Sequence, residues 1–129
     1  MSSVVLDASA ILALLAGEPG AEAVSAFIPG AAVSTVNVSE VGAKLADRGM
    51  NKKDMRSAIG MPGLEFAAFD EAAAYAAAML RDRTRRLGLS LGDRACIALG
   101  VARQLPVLTA DRSWTGLDLG IEVRLIRGS

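Results

Sequence analysis

Apolar and polar positions alternate along the chain so as to give short apolar runs separated by helical stretches. Val4-Val5-Leu6 is an unbroken apolar run closed by Asp7, which predicts a buried strand. Ala8 to Ala16 (ASAILALLA) reads as a helix stopped by Gly17 and Pro19-Gly20, and Ala21 to Phe27 as a second, short helix. Ala32-Val33-Ser34 is the next strand. Thr35 to Arg48 carries Val38, Val41 and Leu45 at the spacing of one helix face, and Gly49 closes it. Asn51 caps a further helix, with Asp54 in its first turn. Leu64-Glu65-Phe66 is a third strand. Asp70 then caps an alanine-rich helix expected to run to about Arg86. Ser90 opens a nearly all-apolar helix whose segment Ala95 to Ala102 (ACIALGVA) should be buried all round. Pro106-Val107-Leu108-Thr109 is a fourth strand, and Ile121 to Leu125, interrupted by Glu122 and Arg124, a fifth at an edge.

Short apolar strands separated by helices predict an α/β fold, a short parallel sheet of about four to five strands with helices on both faces. No repeat, linker or low-complexity segment divides the chain, so residues 1–129 are expected to form one domain. In such sheets ligands bind beyond the carboxyl ends of the strands. Asp7 ends the first strand and Asp111 follows the fourth by two residues, so the two share one end of the sheet if those strands are neighbours.

Glu40 and Asp93 join them as candidates, although each of the four carboxylates also has an ordinary use. Asp7 precedes a helix, Ser90-Leu91-Gly92-Asp93 fits a capping box, and Asp111 stands where a turn begins. Glu40 lies off the apolar stripe of its helix and could face water. Taken together they carry more weight. A charge beside a core strand, or at the head of an apolar helix, is costly unless something compensates it.

Composition narrows the chemistry. Histidine is absent and Cys96 is the one cysteine, which excludes disulfides, thiolate metal sites, zinc held by histidine and histidine-based nucleophile pairs. Lys plus Arg (14) balances Asp plus Glu (14), so the chain does not coat nucleic acid by bulk charge. Apolar residues make up 52% but aromatics only 4%, and Ala, Leu and Val carry the packing. Several carboxylates without nitrogen or sulfur partners describe a site for a hard divalent cation such as Mg²⁺ or Mn²⁺. Such an ion supports phosphodiester hydrolysis without histidine.

Val4-Val5-Leu6-Asp7-Ala8-Ser9-Ala10 resembles the opening strand and turn of PIN-domain proteins. Asn37-Val38-Ser39-Glu40-Val41, Gly92-Asp93-Arg94-Ala95-Cys96 and Leu108-Thr109-Ala110-Asp111-Arg112-Ser113-Trp114 resemble their later acidic motifs, in the family's order and across essentially the whole chain. The resemblance is to the VapC toxins in particular. It implies a three-layer PIN-like fold and an Mg²⁺- or Mn²⁺-dependent endoribonuclease acting as a toxin. The toxin would be neutralised by a cognate VapB-type antitoxin and would form a homodimer. It places Asp7, Glu40, Asp93 and Asp111 in the catalytic, metal-binding cluster, with Ser9, Asn37, Thr109 and Ser113 supporting it. The water activated by the metal would cleave RNA to 5′-phosphate and 3′-hydroxyl ends.

Arg81, Arg83, Arg85 and Arg86 cluster near the end of the alanine-rich helix, as cations at a helix C-terminus often do; Arg81, Arg85 and Arg86 are also candidates for RNA or antitoxin contacts. Arg94 and Arg112, each beside a candidate acid, are stronger ones. Cys96 reads as a small buried hydrophobe and Trp114 as a packing anchor, with base stacking as its alternative; Met55 and Met61 read as core, with an interface as theirs. Met1-Ser2-Ser3 leads straight into the first strand, and no apolar run reaches the ~20 residues of a membrane span. A cytoplasmic protein is expected.

Two other functions fit less well. A phospho-accepting receiver domain needs an acidic pair after the first strand and a lysine after the fifth. Asp7 stands alone and no lysine follows Lys53. A PIN fold kept only for binding would be expected to lack an acidic residue, and none is missing.

Overall fold

The computed structural model describes residues 2–128. Its elements run β1 (Val4–Leu6), α1 (Ala8–Ala16), α2 (Ala21–Ser25), β2 (Ala31–Ser34), α3 (Thr35–Asp47), α4 (Lys52–Gly60), β3 (Glu65–Ala67), α5 (Glu71–Met79), α6 (Arg81–Thr84), α7 (Leu91–Arg103), β4 (Val107–Thr109) and β5 (Val123–Leu125). The strands form one parallel sheet in the order β3-β2-β1-β4-β5. β1 and β4 are therefore neighbours, with Val5 opposite Val107 and Leu6 opposite Leu108, and β5 is the edge the charged residues predicted.

Alternation along each strand builds two cores. Val4, Leu6, Val33 and Leu108 point to one face, where they meet Ile11, Val24, Val41, Leu45 and Ile59 of the helices α1 to α4. Val5, Ala32 and Val107 point to the other, against Ala77 and Leu80 and against Cys96, Ile97 and Ala98 of α7. This three-layer arrangement explains why β1 is apolar throughout: a central strand covered on both faces has no side for polar residues. Trp114 is fully buried in the second core, as a packing anchor should be, and Cys96 is buried there too.

The alanine-rich helix does not continue to Arg86. α5 ends at Met79, α6 is a short separate turn, and Arg85–Leu87 is a 3₁₀ turn. The Leu80 N–H bonds back to Ala77 and Ala78, and the Thr84 hydroxyl donates to the Leu80 carbonyl at 2.8 Å. Leu80 and Thr84 are buried, while Tyr75 and Met79 are exposed. The all-round burial expected over Ala95 to Ala102 holds only in part: Ala95 to Ala98 and Gly100 are buried, Leu99 and Val101 half-buried, and Ala102 exposed. α2 stops at Ser25, short of Phe27, and β3 begins one residue later than predicted.

At the outer edge, Arg103 meets both carboxylate oxygens of Glu65 at 2.7 and 2.6 Å, and Ser2 donates to Glu65 at 2.6 Å. The Arg103 guanidinium holds the Glu65 carboxyl down at about 2. A lowered carboxyl stabilises the fold above its ordinary range, and this is lost as pH falls toward 2. Both side chains are about a third or more exposed, so solvent screens the pair. Glu65→Gln should cost less than about 1 kcal/mol at neutral pH in urea melts, less again in high salt. A loss of several kcal/mol would show that the pair locks the edge strand.

Candidate active site

Asp7 is placed by its strand. Its N–H donates to the Leu108 carbonyl at 3.2 Å, extending the β1–β4 ladder by one residue. Its carboxylate is buried, with 5% exposure, and both oxygens are engaged. Oδ1 accepts from the Ser9 hydroxyl at 2.7 Å and from the Ala10 N–H at 2.8 Å, which caps α1; Oδ2 accepts from the Thr109 hydroxyl at 2.5 Å. Burial pushes the Asp7 carboxyl above its ordinary value. The three hydrogen bonds pull it down only in part, and the charge of Asp93 pushes it further up.

Ser9 and Thr109 each hold two residues. The Ser9 hydroxyl also accepts from the Ala110 N–H at 2.9 Å, and the Thr109 hydroxyl from the Asp111 N–H at 3.0 Å. Asp111 is thereby tied through Thr109 to Asp7. It caps the 3₁₀ turn Arg112–Gly116, where its Oδ1 accepts from the Ser113 N–H at 2.9 Å and hydroxyl at 2.7 Å.

Glu40 and Asp93 come from α3 and α7, which pack together. Glu40 does not turn to water. It is half-buried, its Oε1 accepts from Asn37 Nδ2 at 2.8 Å, and its carboxylate lies against the Cα of Gly92. Asp93 is half-buried in a complete capping box, accepting from the Ser90 N–H at 3.0 Å while its own N–H donates to Ser90 Oγ at 3.1 Å. Below them lies Cys96, whose thiol is pushed well up by burial and then by the charges of Asp7, Asp93 and Glu40. Three of the four acids thus act on one buried atom.

The acids gather without touching. Among the described residues, no three Asp, Glu or Cys side chains stand close enough to hold one ion between them directly. The donor set is all oxygen, suited to Mg²⁺ or Mn²⁺, which keep several waters and need only one or two carboxylates. The arginines divide. Arg94 is half-buried and donates to the Ala77 carbonyl of α5 at 3.1 Å, and Arg85 pairs with Asp82 at 2.7 Å. Arg81, Arg86 and Arg112 are exposed. Gly92, which lies against the Glu40 carboxylate, is a neighbour of the candidate acids that the sequence alone did not single out. Its signal was its place directly before a candidate acid in the first turn of a helix.

Fold and site together define a doubly wound parallel α/β protein with its acids beyond the carboxyl ends of the central strands. The family model described as PIN domain matches residues 4–118, and the chain belongs to that family. Compared with curated proteins by sequence, the chain has no match. Among solved structures it is similar to a DNA-bound VapBC from Salmonella typhimurium, with a TM-score of 0.76 and 19% identity over 98% of this chain and 99% of that one. It is similar to VapBC-5 from Mycobacterium tuberculosis, with a TM-score of 0.59 and 26% identity over 99% and 100%. It also resembles VapC20 from the same organism, a toxin cleaving the sarcin–ricin loop, with a TM-score of 0.68 and 16% identity over 90% and 97%.

Proposed function

We propose that this chain is a divalent-metal-dependent endoribonuclease and the toxin of a VapBC-type toxin–antitoxin pair. The observation that carries the proposal is the placement of Asp7, Glu40, Asp93 and Asp111 around one end of the sheet in a chain without histidine. The VapBC complexes and the RNA-cleaving VapC20 among its structural relatives support the same reading.

Asp7, Asp93 and Asp111, with Glu40 beside them, would hold Mg²⁺ or Mn²⁺ directly or through water. When bound, the ion acidifies water and offsets charge on the phosphate. Glu40 would orient the attacking water or help to hold the ion. Ser9 and Thr109 keep Asp7 in place, and Ser113 does the same for Asp111. Water attacks phosphorus in line, the P–O3′ bond breaks, and 5′-phosphate and 3′-hydroxyl ends result without need of the 2′-hydroxyl. Exposed Arg112, Arg81, Arg85 and Arg86, with half-buried Arg94, supply cations for RNA phosphates or antitoxin carboxylates.

An antitoxin is the proposed partner, with the toxin itself a homodimer in the cytoplasm. An apolar groove lined by Leu14, Leu15, Ile28, Leu45 and Met61, the last 84% exposed, suits a partner segment. No helix among the described residues is long and apolar enough to cross a membrane.

The test is RNA cleavage by the purified protein. Chelator should abolish it, Mg²⁺ or Mn²⁺ should restore it, and the product of a neighbouring antitoxin gene should suppress it. Cleavage undiminished in excess chelator would overturn the mechanism. Full activity in the presence of that bound partner would overturn the toxin assignment.

A further inference from the structure

We propose that Asn37 is the positioning residue for Glu40 in the acid site. Its buried amide clips the Glu40 carboxylate of α3 to the backbone of Gly92 in α7, and so fixes where Glu40 stands relative to Asp93. The inference rests on the metal-dependent reading above and names residues that set its geometry.

Asn37 is 1% exposed, yet it reaches across two elements. Its Nδ2 donates to Glu40 Oε1 at 2.8 Å, one helical turn along α3, and to the Gly92 carbonyl at 3.0 Å. Both partners are acceptors only, so the amide has a single workable orientation. In that orientation Oδ1 is buried with no partner in the protein. An amide that leaves an acceptor unpaired in the interior costs stability. Its benefit must lie in what it holds.

Gly92 is the other half of the clip. A Cβ built on it would overlap all three heavy atoms of the Glu40 carboxyl group. The absence of a side chain lets the carboxylate sit against α7 next to Asp93. Asp93 is itself held by the Ser90 capping box, so Asn37 sets Glu40 against a fixed acid. Drawing two carboxylates together raises their mutual repulsion, which a bound cation relieves.

Asn37→Ala removes the clip and frees the Glu40 carboxylate while keeping all four acids in the chain. Groups that orient metal ligands are worth about 10- to 100-fold in metal affinity or activity. We expect Asn37→Ala to weaken Mn²⁺ binding, followed by the loss of the free-ion electron paramagnetic resonance signal, by about tenfold or more. Its kcat should fall with KM for RNA nearly unchanged. Gly92→Ala should act in the same direction by displacing Glu40. If both act through Glu40, their effects on Mn²⁺ affinity will be far from additive, and each will shrink in a Glu40→Gln background. Parent-like Mn²⁺ affinity and kcat in a folded Asn37→Ala protein would overturn the inference and leave the metal site standing. So would equal losses with and without the Glu40 carboxylate. A parent that binds no Mn²⁺ would instead overturn the proposed function and, with it, this role for Asn37.

Discussion

Asp7→Asn should lower RNA cleavage by orders of magnitude while leaving the metal-free protein as stable as the parent, or more so. The two halves of this result come from two uses of one carboxylate. As a cap, Asp7 accepts from the Ala10 N–H through Oδ1, and asparagine caps a helix about as well. The new amide nitrogen would face the Thr109 hydroxyl, which can rotate to accept from it. As a charge, Asp7 is buried and lies near Asp93, and both raise the carboxyl above its ordinary value. An acid whose folded value is raised favours folding when protonated. That contribution is fully present at pH below the unfolded value and is lost as pH rises through the folded one. In chelator the variant should therefore melt with the parent at acid pH and gain on it as pH rises. With Mn²⁺ the order should reverse, because a ligand stabilises in proportion to its binding. Paired melting curves with and without Mn²⁺, beside a cleavage assay, read all of this. A variant that melts lower without metal, shifts normally with it and still cleaves RNA would reduce Asp7 to a cap.

The overlap of cap and site also explains what the sequence disclosed. Strand β1, the helix after it and the carboxylate between them follow from local pattern, and so do the capping box at Ser90 and the position of Asp111 after β4. Asp7 and Asp111 are N-caps and Asp93 is the third residue of a capping box, so the ordinary use and the proposed one occupy the same atoms. Only their convergence separates the two, and it depends on β1 and β4 being neighbours although about a hundred residues apart in the chain. Glu40 shows the limit of a local reading. Periodicity placed it off the apolar stripe and so toward water. Its actual neighbour, Gly92, is brought there by the packing of α3 on α7 and by Asn37 reaching across 55 positions. The early end of α5 at Met79 was hidden for a similar reason. Alanine propensity favours a continuous helix, and the buried Ala77, Leu80 and Thr84 fall at the spacing of one helix face, so the local pattern carries no sign of the break. Arg94, beside an acid in sequence, is drawn to the Ala77 carbonyl by the contact of α5 with α7, which sequence adjacency does not reveal.

Thr109→Val should destabilise the metal-free protein by an amount that grows with pH, and the growth should vanish in an Asp7→Asn background. Thr109 is fully buried, and its hydroxyl donates to Asp7 Oδ2 while accepting from the Asp111 N–H. Valine fills the space but returns neither bond. When Asp7 is ionised, the lost bond is one to a buried charge, worth about 1.5–3 kcal/mol; to a protonated Asp7 it is worth less. The hydroxyl is the strongest of the hydrogen bonds that hold the Asp7 carboxyl down, so removing it lets burial push that carboxyl higher still. With the folded value further raised, the variant loses stability relative to the parent as pH rises through the parent's folded value. Below that, the gap narrows to the cost of the Asp111 N–H left without its acceptor plus the weaker bond to a protonated Asp7. Urea melts in chelator at acid and neutral pH, on both single variants and the double variant, measure the coupling. A penalty that is the same at both pH values, and the same with asparagine at position 7, would show that Thr109 serves the Asp111 backbone alone. In that case the bond to Asp7 sets neither its charge nor its place.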